Sequence, residues 1–168
     1  AQRLALARLV SSIGSVGSFT GIAYTLWELT GSAVWVSAGI VSLVVVGGLV
    51  QPLAGLIADR HDRRRVMIAS DLATAAIFGV LALLASSPLA IVIVTAAATV
   101  TATPFWPASR AAMPNLVDEA DLPWANGRIA AAQALGVLLG PVLAAGLLAA
   151  SGPWAMFAAN AVTFALSA

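Results

Sequence analysis

GLIADRHDRRRVM, the stretch from Gly55 to Met67, places four of the chain's eight basic residues within six positions. No charged residue lies between Leu29 and Ala58, and the sequence becomes apolar again at Val66. A short basic turn between two long apolar runs is typical of the cytoplasmic side of a membrane protein. A basic turn in a soluble protein can bind nucleic acid, but the apolar runs on both sides argue against a nucleic-acid partner.

The composition of the whole chain leads to the same fold class. Of 168 residues, 61% are hydrophobic and 9% are charged, and the mean hydropathy is +0.99. Soluble domains carry about 25% charged residues, which they need to cover their surface. We therefore predict an all-α integral membrane protein whose surface contacts the lipid bilayer. The chain has no cysteine and its one histidine, His61, lies in the basic turn, so neither a metal site nor a cofactor is expected.

Six apolar runs are separated by polar segments, and the first five are each close to the ~20 residues that a membrane-crossing helix needs. The connections between them include a basic loop at 58–65, a second polar loop at 109–127 and three short turns. The sixth run is cut short by the end of the sequence, which indicates a piece of a longer protein. The predicted spans are approximately 9–29, 33–57, 66–85, 89–108, 128–150 and 154–168.

The arginines predict how these spans are oriented. With six spans, every arginine lies on one side of the membrane, whereas the turns at 28–32, 86–88 and 151–153 on the other side contain none. Arginine and lysine accumulate in cytoplasmic connections. We therefore expect a multi-pass protein of the plasma (inner) membrane with a cytoplasmic N terminus. The arginines are Arg3, Arg8, Arg60, Arg63, Arg64, Arg65, Arg110 and Arg128.

Small and polar residues inside the spans suggest where the helices meet. A row in the first span either allows close helix packing or lines a polar cavity, and the two interpretations stay open. Asp71 lies near the cytoplasmic end of the third span. There it can either reach the membrane interface or pair with an arginine of the preceding loop, and a structural role is expected. Asn160 either lines a cavity or bonds to another helix, and Pro104 with Pro107 predicts a kink or an end in the fourth span. The row comprises Ser11, Gly14, Ser15, Ser18 and Gly21.

The basic stretch resembles a signature of the major facilitator superfamily, Gly-x-Leu-Ala-Asp-Arg-x-Gly-Arg-Arg-x-x-Leu, which lies between the second and third helices of that family. Ile57 and Met67 replace similar residues, and Asp62 stands where the signature has its second glycine. The resemblance implies that this turn is a conformational latch on the cytoplasmic side, broken when the transporter opens inward. The matching residues are Gly55, Ala58, Asp59, Arg60, Arg63 and Arg64.

A second motif lies in the fifth span. Gly136-Val137-Leu138-Leu139-Gly140-Pro141 is similar to the Gly-x-x-x-Gly-Pro core of the antiporter signature in the fifth helix of the family. By itself the pattern also fits a simple packing and kink site. The rest of the chain resembles the exporter-type branch that includes siderophore and drug efflux proteins.

These resemblances imply the N-terminal six-helix half of a twelve-helix major facilitator fold, with the C-terminal half as its partner. The implied function is secondary active efflux of a small, partly apolar molecule by alternating access, with proton coupling open because no ionisable residue is predicted near the bilayer centre. The alternative is a membrane-embedded sensor or scaffold with the same fold. An enzyme is not expected, because neither a nucleotide-binding loop nor a catalytic serine, histidine and carboxylate set is evident.

Overall fold

The computed structural model describes residues 2–84, 86–112 and 118–168, and within these ranges the regular structure is helical. A short 3-10 turn, Glu119–Asp121, precedes the last helix. Five helical stretches are long and apolar enough to cross a membrane, Leu9–Thr30, Ala33–Arg60, Arg63–Leu84, Pro88–Ala112 and Leu122–Ser167. The predicted class, an all-α membrane bundle, is confirmed. The helices are α1 (Gln2–Thr30), α2 (Ala33–Arg60), α3 (Arg63–Leu84), α4 (Pro88–Ala102), α5 (Phe105–Ala112) and α6 (Leu122–Ser167).

Local sequence signals mark two of the three turns that contain no arginine. Gly31, with φ 58°, follows the last residue of α1, and its N–H donates to Trp27 O at 2.7 Å. Glycine is favoured there because a left-handed residue ends a helix without a Cβ clash. Ser87 precedes α4 and its Oγ accepts from Ala90 N at 3.4 Å, with Pro88 in the first helical position. Both residues are helix-end signals that require no tertiary contact.

The two polar connections are shorter than the loops predicted at 58–65 and 109–127. Helix α2 continues through Arg60 and α3 already begins at Arg63, while α5 extends to Ala112 and α6 starts at Leu122. The onset of charge therefore does not mark the end of these helices. Arginine is a good helix former, so a helix can extend past the apolar run that crosses the bilayer.

The fourth predicted span bends where its prolines lie. Helix α4 ends at Ala102 and α5 resumes at Phe105, so that Thr103 and Pro104 form the break. Pro104 has no N–H to bond back to the preceding turn, while Pro107 lies in the first turn of α5, where a missing donor costs little. The predicted kink is confirmed, and the helix continues beyond it.

Helix α6 is 46 residues long, more than twice the length that crosses a bilayer, and it is broken at Gly152. Gly152 has φ 77° and ψ −178°, a conformation that only glycine adopts readily. We call residues 122–151 the first arm and residues 153–167 the second arm. The break falls within the turn predicted at 151–153.

Contacts with α1 give the direction of each arm. Along the first arm, residue numbers rise together with those of α1, so the two helices run parallel. Along the second arm they rise as those of α1 fall, so this arm runs antiparallel to α1. The chain therefore reverses at Gly152. The neighbouring pairs are Ser12 with Gly136 and Gly17 with Ala144 in the first arm, and Gly21 with Met156 and Gly14 with Asn160 in the second.

The core lies where α1, α3, α4 and the second arm meet. The rings of Phe78 and Phe164 stack there with centroids 5.9 Å apart. Many large apolar side chains instead point outward, such as Leu83 at 83% and Leu166 at 77% exposure. In water such a surface would be unfavourable, but in a bilayer it faces lipid. The larger buried residues of the core are Ile22, Leu26, Phe78, Leu81, Ile91, Met156, Phe157 and Phe164.

Candidate functional site

The basic turn is held by bonds of its own residues. Asp62 Oδ1 accepts from Arg65 N at 2.9 Å, which satisfies a free donor at the start of α3. His61 closes the end of α2, because its backbone N–H donates to Ile57 O at 3.2 Å. No described residue other than glycine has a positive φ. Asp62 therefore replaces the glycine of the signature without backbone strain.

One arginine ties this turn to the end of α5. Arg63 Nη1 donates to Ala111 O at 2.6 Å, across 48 positions of sequence. The acceptor is one of the last carbonyls of α5, which carry the negative end of the helix dipole. Beneath it, Ala58, Val66 and Ala108 pack into a small apolar cluster. The turn is therefore fastened to α5 as well as to α2 and α3.

The other residues of the predicted latch face outward. Asp59, Arg60 and Arg64 are exposed. Gly55 is half-buried, and an atom built at its Cβ position would meet nothing within 4 Å among the described residues. Within this chain, the structure therefore brings only Arg63 of the latch set into a described interhelical bond.

The glycines of the fifth-span motif lie against α1. A Cβ atom on Gly140 would lie 3.0 Å from Ile13 O and 3.0 Å from Val16 Cβ. Gly136 faces the Ser12 side chain in the same way. Both glycines allow two helices to approach closely. Pro141 follows within α6, and the motif therefore occupies a close contact between α1 and the first arm.

The small residues predicted to form a row in α1 have two different roles: some pack against another helix and some line a cavity. Gly14 and Gly21 meet the second arm, at Asn160 and Met156. Ser11 and Ser15 line a cavity instead. Ser18 is 2% exposed and lies between these groups. Close packing and cavity lining are thus properties of neighbouring rows on the same helix.

The cavity that Ser11 and Ser15 line has a volume of about 370 Å³ and lies between α1, α3, the α4–α5 break and α6. Its lining combines polar side chains with aromatic rings. Such a mixture of apolar surface and a few polar groups is typical of small-molecule sites. The described lining residues are Ser11, Ser12, Ser15, Val16, Asp71, Ala102, Phe105, Trp106, Gln133, Val137 and Phe164.

Asp71 is the sole acidic residue among the described residues of this lining. It is 2% exposed, so it lies among the helices and does not reach the surface of the bundle. Gln133 approaches from the first arm, and its backbone O accepts a long bond from Ser12 Oγ at 3.5 Å. The sequence interpretation missed Ser12 and Gln133. An isolated glutamine in an apolar run was the available signal.

A smaller cavity of about 120 Å³ lies where α1 meets both arms of α6. Asn160 and Ser18 line it, each 2% exposed. Asn160 Oδ1 accepts from Thr163 Oγ1 at 3.1 Å, within the same helix. Asn160 Nδ2 and Ser18 Oγ have no hydrogen-bond partner among the described residues. Asn160 therefore lines a cavity, the first of its two predicted roles.

A sequence model of the Major Facilitator Superfamily matches residues 4–168. The chain belongs to the major facilitator superfamily. This confirms the family that the basic turn and the fifth-span motif indicated, and it accounts for a helical bundle with a lipid-facing surface. The roles predicted for the individual motif residues stay predictions.

Two relatives carry the efflux resemblance. The chain is 32% identical over 140 residues to macrolide efflux protein A of Streptococcus pyogenes, and equally to the protein of that name from a serotype M6 strain. The aligned region covers 81% of this chain and 35% of each relative. The chain therefore spans about a third of the length of these curated relatives. No solved structure matches it significantly.

Proposed function

We propose that this chain is part of a secondary active transporter that exports a small, partly apolar molecule. The observation that carries the proposal is the superfamily match over residues 4–168. The similarity to macrolide efflux proteins supports export as the direction. The cavity of about 370 Å³, with aromatic and hydroxyl-bearing walls, suits such a substrate better than a highly charged one.

The proposed mechanism is alternating access, in which this bundle moves against a C-terminal six-helix partner. Support comes from α2, because only 6% of the residues in its most apolar stretch are buried within this chain. Gly48 and Gly55 are seven residues apart and therefore lie on the same face of α2. A Cβ atom on either would meet no described atom within 4 Å. An open, apolar helix face of this kind is available to lipid or to a second bundle.

The latch hypothesis has a direct test. In the full-length protein, we expect alanine at both Asp59 and Arg63 to slow efflux, because the charge-assisted contacts that favour the outward-facing state are lost. Drug accumulation in intact cells measures efflux, with Asp118→Ala as the control because Asp118 is also exposed and lies outside the motif. Unchanged efflux in the double variant would show that the turn is not a latch.

Vesicle flux separates transport from the second candidate, a sensor or scaffold with the same fold. Full-length protein reconstituted into lipid vesicles is expected to move a macrolide with saturable kinetics. A scaffold would give no protein-dependent flux. The superfamily match is also the argument that the chain acts without catalysing a reaction.

We extend the proposal to proton coupling and to the plasma membrane as the location. An imposed pH gradient across the same vesicles should then drive accumulation against the substrate gradient. If accumulation depended on a sodium gradient and did not respond to the pH gradient, the coupling ion would be sodium and the proton-coupling proposal would fail. The N terminus is proposed to be cytoplasmic, on the argument from arginine distribution.

A further inference from the structure

The cavity between α1, α3, the α4–α5 break and α6 is lined by two chemically different kinds of group. Hydroxyl groups of Ser11, Ser12 and Ser15 lie on α1, and Asp71 on α3 adds a carboxyl group. Phe105, Trp106 and Phe164 add aromatic rings to the same lining. A ligand that suits this lining combines an apolar body with a hydrogen-bonding or charged group.

The sign of that charge follows from the lining. Asp71 is the one ionisable residue among the described lining residues, and it is buried. In a site of low dielectric, a carboxylate attracts a cation strongly and repels an anion. The faces of tryptophan and phenylalanine rings also favour cations. A protonated amine is therefore favoured by the carboxylate and by the aromatic rings, and serine oxygens can accept its hydrogen bonds.

We propose that this cavity binds the protonated amine of an amphipathic substrate, with the ammonium group at the Asp71 end and the apolar body against Trp106 and Phe105. The proposal rests on the transport function proposed above and names the substrate class. A carboxylate has about four acceptor positions, so Asp71 can bind an ammonium group and keep its other contacts. The volume of about 370 Å³ falls within the range of small-molecule sites.

Two probes of matched size test the proposal. 1-Adamantylammonium is a protonated amine on a rigid apolar body, and 1-adamantanol has the same body without the charge. Equilibrium binding of each radiolabelled probe to the purified full-length protein should show the ammonium probe about tenfold tighter or more, the usual gain for a charged hydrogen bond. Equal affinities, or no binding of the ammonium probe, would overturn the proposal.

Asp71→Asn should remove most of this preference and leave the affinity for 1-adamantanol within about twofold. The same substitution at exposed Asp118 is the matched control and should change neither affinity. If Asp71→Asn weakened both probes equally in a folded protein, Asp71 would be structural and the proposal would fail.

A second pair of variants leaves Asp71 intact, in case its substitution prevents folding. Ser15 is exposed on the cavity wall, so it accepts longer side chains. Ser15→Lys adds a positive charge and should abolish the preference for the ammonium probe. Ser15→Met, similar in length, loses the same hydroxyl without adding a charge, and should retain a clear part of the preference. An unchanged preference in Ser15→Lys would contradict the assignment.

The outcomes distinguish this proposal from the proposed function. If the protein binds the ammonium probe through Asp71 but shows no flux in vesicles, the site stands and the transport function fails. If it transports a macrolide and shows no charge preference, transport stands and the cationic site fails.

Discussion

At the scale of single residues, Gly140 is the position where an added side chain has the clearest expected effect on stability. A Cβ atom there would lie 3.0 Å from a backbone oxygen of α1 and 3.1 Å from the backbone N of Gly17. Because backbone cannot move aside as a flexible side chain can, the two helices would have to separate. At Gly21 an added Cβ atom would instead meet the end of the flexible Met156 side chain, which can move aside.

We therefore expect Gly140→Ala to destabilise the protein by about 1–3 kcal/mol, as overpacking typically does. Thermal unfolding in detergent measures this. The control is Gly146→Ala on the same helix, where a new Cβ meets nothing described within 4 Å. That substitution should be neutral or stabilising by up to about 1 kcal/mol, the helix propensity gained over glycine. Equal melting temperatures for the two variants would contradict the close contact.

Arg63 supports a second prediction at this scale. Arg63→Met removes the bond to Ala111 O and leaves the last carbonyls of α5 with one donor fewer. The bond is exposed, so its loss should cost about 1 kcal/mol. Amide hydrogen exchange within α5 should accelerate about fivefold. Arg64→Met is the control, since Arg64 is exposed and its side chain makes no hydrogen bond to another described residue. Equal exchange in both variants would mean that Arg63 does not hold α5.

At the scale of helices, the break in α6 decides how the chain packs. An apolar helix of 46 residues without the break would project far beyond the bilayer. Because Gly152 reverses the chain, both arms lie against α1, one parallel and one antiparallel. The second arm then supplies Met156, Phe157 and Phe164 to the core. One backbone conformation thus allows a large share of the buried contacts.

Gly152→Ala tests this reversal. Alanine at φ 77° and ψ −178° should cost about 1–3 kcal/mol, because its Cβ meets the backbone in that region. The melting temperature should fall accordingly. Gly79→Ala is the comparison, since Gly79 lies in α3 with open space around it and does not have a positive φ. An unchanged melting temperature for Gly152→Ala would show that the turn does not need a glycine.

At the scale of the whole molecule, the uneven distribution of arginine predicts the orientation, and the absence of cysteine makes it easy to test. A single cysteine at exposed Ser151 should react with a membrane-impermeant maleimide added to intact cells. A cysteine at exposed His61 should react only after the membrane is permeabilised. The opposite pattern would place the N terminus outside and would contradict the charge argument.

Much of the fold could be predicted because its causes act locally. Hydrophobicity selects the membrane helices segment by segment, and glycine, serine and proline mark their ends without knowledge of distant residues. The described helices extend into the polar segments, because arginine is a good helix former and charge alone does not end a helix. The kink at Pro104 was predictable for the same local reason, a missing N–H.

The cavity was harder to predict because it depends on helix rotation. Ser11 and Ser15 form one row on α1, and Gly14 and Gly21 form another about 90° away around the helix, as 3.6 residues per turn requires. Both rows consist of small residues, so composition cannot say which one meets α6 and which one faces an opening. Asp71 was placed at a helix end from its position along α3, whereas its burial depends on the helices around it.

By itself, then, the sequence determined that this chain is a bundle of membrane helices and which superfamily it belongs to, because apolar length and a short motif are properties of contiguous residues. Tertiary structure alone decided that Asp71, Gln133 and the serines of α1 share one cavity and that Gly136 and Gly140 close a helix contact. Those groupings depend on the rotation and register of helices far apart in the chain. Rotation and register follow from the fit of all the side chains together.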